Sequence, residues 1–200
     1  MVGAMIHGFI LALGLILPLG VQNVFVFNQG ATQPRWVLSL PVVLTASLCD
    51  TFLISMAVFG ISAVVLGSSW IKVTLISIGI LFLLYMGYVT WKSLPEEGSR
   101  EVKNLTAGKQ IAFAASVSLV NPHAIIDTIG VIGTSSLSYT GMEKAAFAVV
   151  CIFVSWFWFL GLSIVGRLVG KVDQTGKFIV MLNKISAIIM WGTAIYLTFQ

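Results

Sequence analysis

Six stretches of this 200-residue chain contain no Asp, Glu, Lys or Arg: 1–34, 51–71, 73–91, 110–126, 145–166 and 185–200. A water-soluble domain carries about 25% charged residues and cannot bury so much apolar surface in so short a chain. Here charged residues make up 9% and hydrophobic residues 58%. A helical span takes about 20 apolar residues to cross roughly 30 Å of hydrocarbon. The pattern therefore predicts an all-α polytopic membrane protein with six transmembrane helices, short loops and no room for a soluble catalytic domain. It argues against an enzyme and against nucleic acid as a partner, and it makes the lipid bilayer the first partner.

The spans are read at 4–27, 39–63, 71–91, 110–133, 145–166 and 178–199. Asn183 and Lys184 make the start of the last one irregular, although Lys184 can snorkel to the headgroups. Met1–Ile6 lacks the positive segment of a leader peptide, so the first stretch is read as a span. Cys49 and Cys151 lie inside apolar stretches, where a disulfide framework is not expected. Loops one, three and five hold Arg35, Lys92, Arg100, Lys103, Lys109, Arg167, Lys171, Lys177 and Lys184. Loops two and four hold only Lys72 and Lys144. The excess of basic residues places the odd loops in the cytoplasm and both termini outside.

The chain also reads as internally doubled. Aligning Pro18 with Pro122 pairs Leu17-Pro18 with Asn121-Pro122, and Asn23 with Asp127. A similar offset matches Leu84-Tyr85-Met86-Gly87 with Ile189-Met190-Trp191-Gly192. The organisation expected is a three-helix repeat over 1–91, a cytoplasmic linker over 92–109 and a second three-helix repeat over 110–200. Three is odd, so the halves cross in opposite senses. Such a 3+3 inverted repeat puts a site near the midplane, where interrupted helices face each other.

All charged residues lie in loops or at span edges except Asp50 and Asp127. An Asp at the centre of a span costs about 2.5–3.5 kcal/mol on insertion scales, and such residues mark function by default. With every Lys and Arg near an interface, three remedies remain: protonation, hydrogen bonding, or a cation supplied from outside. In the first span, Pro18 removes a backbone donor and Gly20 lets the chain unwind, while Gln22 and Asn23 bring amides to membrane depth. The fourth span repeats the device with Asn121, Pro122 and His123, followed by Asp127 and Thr128. Broken backbone at that depth is tolerated where it is buried in protein or lines a cavity. Free carbonyls and carboxylates suit a cation, and helix N-termini suit a carboxylate, so a zwitterion with an extra positive charge would use them all. His123 reads as a packing residue, a proton carrier or a ligand. Trp156 and Trp158 read as core packing or as a face for a cationic substrate.

These residues carry a resemblance. Leu17-Pro18-Leu19-Gly20-Val21-Gln22-Asn23-Val24-Phe25-Val26-Phe27-Asn28-Gln29-Gly30, Cys49-Asp50-Thr51-Phe52-Leu53-Ile54 and Asn121-Pro122-His123-Ala124-Ile125-Ile126-Asp127-Thr128 resemble the LysE family of amino-acid exporters, in its lysine/arginine-exporting branch. Asn183 and Met190-Trp191 resemble that family's final span. Asn28 departs from the pattern, standing where members often have Arg. The resemblance implies energy-coupled efflux of a basic amino acid across a bacterial cytoplasmic membrane.

The expectation is then alternating access around a midplane site, with protons as coupling ion, no cofactor, no resident metal, and a homo-oligomer compatible with the glycine-lined faces. Asp50 and Asp127 would bind the substrate's cationic groups or exchange them for protons. Gly20, Gln22, Asn23, Asn121, His123 and Thr128 would serve its α-carboxylate and α-amino groups. Two rival readings are a heavy-metal cation exporter using Cys49, Asp50, His123 and Asp127, and an intramembrane aspartyl protease with a shared-proton dyad.

Overall fold

The computed structural model describes residues 1–17, 20–61, 105–121, 124–125, 127–172 and 177–197, with positions 70, 77, 80–81, 84–85, 87–88 and 91–92 between them. Every described element is helical. The expected third span, 71–91, and the linker, 92–109, lie largely outside the described residues, so the six-span count is not read from them.

The first span is interrupted where its sequence demands. Helix α1 runs Val2–Ile16 and α2 runs Val21–Thr32, and their axes bend by 78°. Gly20 is the N-cap of α2, with extended backbone at φ −79° and ψ 174°, and its carbonyl accepts the first bond of the new helix from the Val24 N–H at 3.1 Å. Pro18 and Leu19 lie outside the described residues. The buried face of α1 is a row of small residues, Ala4, Gly8 and Ala12, one turn apart. By contrast α2 is buried on nearly every side, including Val21, Asn23, Val24, Val26, Phe27, Gln29, Gly30 and Ala31. That marks it as central rather than lipid-facing.

A 3₁₀ turn at Trp36–Ser39 leads into α3, Leu40–Met56. Pro41 occupies its first turn, where a missing N–H costs nothing. A π-helical turn, Ala57–Ile61, follows. Together Trp36–Gly60 forms 25 residues of membrane-length apolar helix, close to the 39–63 expected. Helix α4, Ala107–Val120, ends at Asn121, whose φ of −72° and ψ of 109° are the extended values imposed on a residue before proline. A π-helical segment, Asp127–Gly133, and the short α5, Thr134–Ser136, complete that region.

Helix α6, Gly141–Val172, has 32 residues, a length of about 48 Å at 1.5 Å per residue. That exceeds the roughly 30 Å of hydrocarbon, and the charged Glu143, Lys144, Arg167 and Lys171 sit in the overhanging ends. Helix α7, Lys177–Leu197, covers the sixth expected span. Among the described residues, two helices are long and apolar enough to cross a membrane, and the bent α1–α2 pair makes a third.

Helix α6 is the hub, packing against α1, α2 and α3, while α3 also packs against α4. The pairing of α1–α2 with α6 is parallel. The Met1 ammonium meets the Glu143 carboxylate at one end. At the other, the Arg167 guanidinium donates to the carbonyls of Gln33 (2.7 Å) and Pro34 (2.9 Å). Between these ends the backbones nearly touch. A Cβ on Gly30 would collide with the Ser163 backbone, one on Gly166 with Phe27, and one on Gly170 with Ala31. This is the small-residue packing that lets membrane helices approach. Gly161 and Gly192, by contrast, have nothing within 4 Å of an added Cβ.

Among the described residues the interior holds two apolar clusters. One gathers Ala4, Ala12, Ile54, Val58, Ile132, Phe147, Ala148, Cys151 and Val154 toward the Met1 end. The other gathers Val26, Val42, Val43, Ala46, Ala114 and Phe159 toward the Arg167 end. Cys49 and Cys151 are both free thiols.

Candidate functional site

Between the two apolar clusters lies a polar layer centred on Asp50, near the middle of the Trp36–Gly60 span. Its carboxylate is half-buried and hydrogen-bonded on both oxygens. The Ser155 hydroxyl donates to Oδ2 at 2.7 Å, and the Gln22 amide donates to Oδ1 at 3.4 Å. Among the described residues the one ion pair is Met1–Glu143, so hydrogen bonds, rather than an internal cation, accompany this acid. Beside it, Thr51 Oγ1 donates to the Ser47 carbonyl at 2.7 Å and accepts from the Trp156 indole N–H at 3.0 Å.

Asn23, in the first turn of α2, reaches back across the break. Where a helix stops, its last carbonyls lose their partners, and the Asn23 amide donates to one of them, Ile16, at 2.7 Å. The Trp158 indole N–H donates to Asn23 Oδ1 at 3.2 Å. Asn23 is therefore buried and engaged across the interruption, while Gln22, its neighbour, turns toward Asp50.

The second break is brought alongside. Asn121 is buried at the end of α4, and its carbonyl accepts from the Ile125 N–H at 3.1 Å, restarting the helix. The segment beginning at Asp127 packs against α3 and against the π turn Ala57–Ile61. Thr128 is partly buried there. Pro122 and His123, like Pro18, lie outside the described residues, and so does the Asp127 carboxyl. The structure thus joins Gln22, Asn23 and Asp50 in one layer with Gly20 at its edge, and brings the backbone of the Asp127 segment to the same helix.

Ser155, Thr51 and the hydrogen bonds of the two tryptophans were not read from the sequence. The available signal was a hydroxyl at the centre of a charge-free stretch, Ser155-Trp156, which has no period or motif to single it out.

A second polar group sits at the Arg167 end. Trp36 Nε1 donates to Ser163 Oγ at 2.7 Å, Gln110 Nε2 donates to the Leu38 and Leu105 carbonyls at 2.9 Å each, and Gln33 Nε2 donates to Leu105 at 3.2 Å. Asn28, at the position noted above for its departure, donates to Asn183 Oδ1 at 2.7 Å and so joins α2 to α7.

The family description "LysE type translocator" matches residues 13–200. The chain belongs to the LysE family. The match covers both broken segments, the Asp50 span and the final helix. YisU of Bacillus subtilis (strain 168), provisionally named an amino-acid transporter, is 54% identical over 193 residues, covering 96% of this chain and 88% of its own. The arginine exporter protein ArgO of Salmonella typhimurium (strain LT2) is 33% identical over 201 residues, covering 98% of this chain and 94% of its own. ArgO of Salmonella enteritidis PT4 matches to the same extent. No solved structure matches. LysE membership makes the chain a membrane translocator rather than an enzyme, which sets the aspartyl-protease reading aside.

Proposed function

We propose that this LysE-family chain is a secondary-active exporter of basic amino acids, arginine and/or lysine, across the bacterial cytoplasmic membrane. The single observation that carries the proposal is the half-buried Asp50 carboxylate, set beside a broken helix between two apolar clusters and accompanied, among the described residues, by hydrogen bonds rather than by a cation. A carboxylate in that setting is complementary to a guanidinium or ammonium group brought by a substrate. The name of the ArgO relatives points to the same cargo.

In this reading Asp50 and Asp127 take the substrate's positive charge or a proton. Gly20, Gln22, Asn23, Asn121, His123 and Thr128 line the path of its α-carboxylate and α-amino groups. Competition between proton and substrate for the same carboxylates gives antiport without a separate coupling site. The halves 1–91 and 110–200 act as inverted repeats joined by the 92–109 linker and alternate access around the site. The basic loops face the cytoplasm and both termini face outward.

The test is efflux of labelled arginine and lysine from preloaded proteoliposomes, with and without an imposed proton gradient. Gradient-dependent efflux by the native protein, lost in Asp50→Asn and in Asp127→Asn, is the expected result. No efflux of either amino acid by folded protein would overturn the proposal, and efflux of a metal cation instead would favour the metal reading.

A further inference from the structure

Asp50 does not hold its two partners equally. The Ser155 bond to Oδ2, at 2.7 Å, has the usual length of a hydroxyl–oxygen hydrogen bond. The Gln22 bond to Oδ1, at 3.4 Å, is at the limit of what counts as a bond. The donors differ in their setting as well. Ser155 is 3% exposed and lies in the middle of the long α6. Gln22 is partly exposed and lies in the first turn of α2, just past the break.

The neighbouring residues make the Ser155 contact part of a pattern. Consecutive residues of α6 bond consecutive residues of α3: Ser155 to Asp50, and Trp156 to Thr51 at 3.0 Å. Two such rungs fix the rotation and register of one helix against the other, so the hydroxyl is held where the carboxylate needs it. A carboxylate held on one oxygen presents its other oxygen in a defined direction, here toward the start of α2.

We propose that Ser155 is the positioning residue of Asp50, holding Oδ2 so that Oδ1 is the oxygen offered to the substrate's guanidinium or ammonium group. This rests on the reading of Asp50 as the acid that takes the substrate's charge. Ser155 touches the carboxylate and not the cargo. Its contribution is to orient the acid, and it comes from the second half of the chain while the acid belongs to the first.

The experiment is equilibrium binding of labelled arginine to the purified full-length protein in nanodiscs. It compares the native chain with Ser155→Ala, Ser155→Thr, Asp50→Asn and the double variant Ser155→Ala/Asp50→Asn. Ser155→Ala is expected to weaken binding about tenfold, the loss carried by one hydrogen bond to a charged group. Ser155→Thr, which keeps the hydroxyl, is expected to restore most of it. In the Asp50→Asn background, read at proportionally higher arginine concentrations, Ser155→Ala is expected to add no further loss, because its effect runs through the carboxylate. Efflux by Ser155→Ala should show a raised KM with its maximal rate kept. Native-like binding by Ser155→Ala overturns the proposal, as does an equal loss in both backgrounds, which would mean packing alone. If the native chain binds neither arginine nor lysine, the substrate reading fails, and the role of Ser155 fails with it.

Discussion

Trp158 and Asn23 meet across the bundle, the indole N–H of one 3.2 Å from the side-chain oxygen of the other. Through this bond the longest helix reaches into the interruption of the first span, because the same Asn23 holds the Ile16 carbonyl at 2.7 Å. A side chain with one donor and one acceptor aimed in opposite directions is what a broken helix needs at this depth. No water is available in hydrocarbon to satisfy the freed carbonyl.

Removing that side chain takes a partner from a partly buried carbonyl and from a partly buried indole N–H. Asn23→Ala is expected to destabilise the protein by about 1–3 kcal/mol, and Trp158→Phe by less, since it removes only one of the bonds that Asn23 makes. In detergent, thermal unfolding followed by size-exclusion fluorescence should show both variants melting below the native protein. The double variant should melt close to Asn23→Ala alone, because the two changes remove parts of one connection. Fully additive losses would show that the residues act separately.

The close contact of α2 with α6 makes an opposite pair of expectations for glycines on the same helix. A methyl at Gly166 has the Phe27 carbonyl in its way, and one at Gly30 has the Ser163 backbone, neither of which is the movable end of a side chain. Gly166→Ala and Gly30→Ala should each cost about 1–3 kcal/mol through forced separation of the helices. Gly161→Ala, five residues before Gly166 on α6, meets nothing within 4 Å and should leave the melting temperature and the folded yield unchanged. Equal behaviour of Gly161→Ala and Gly166→Ala would contradict the packing described.

Sidedness gives a third test. The proposed orientation puts Arg35 and Arg167 in the cytoplasm and Lys144 outside. Single cysteines replacing Arg35 or Lys144 can be introduced after Cys49 and Cys151 are changed to serine. Exposed to a membrane-impermeant maleimide in intact cells, Lys144→Cys should label and Arg35→Cys should label only after permeabilisation. The reverse pattern would invert the proposed topology.

Much of this arrangement was legible in the residues, and the reason differs from one feature to the next. Asp50 stood out because a charge in a 25-residue apolar span is costly and therefore visible. The interruptions at Gly20 and Asn121 were visible because proline acts locally on its own and the preceding residue. The fifth span was read at 145–166, and α6 continues beyond both of its ends. Hydropathy stops at the first charge, whereas backbone hydrogen bonding continues through Glu143 and Lys144 and past Arg167. Ser155 could not be read at all, since a hydroxyl gains its meaning only from how α6 is rotated against α3. Nor could the bond from the Asn23 amide to the Ile16 carbonyl be read, since it depends on the 78° bend rather than on any pattern of residue types.

The grip of Arg167 on the Gln33 and Pro34 carbonyls, together with the Met1–Glu143 pair at the far end, has a mechanical consequence. A kinked span tied to its neighbour at head and foot, and pressed backbone to backbone at Gly30, Gly166 and Gly170, cannot slide along it. In this structure the two are tied as a single lever. Asp50 stands on the adjoining helix with its carboxylate bonded to both parts of that lever, Gln22 on one and Ser155 on the other. On the proposed reading of Asp50 as the acid that takes the cargo's charge, loading it would change how firmly α3 is latched to that lever.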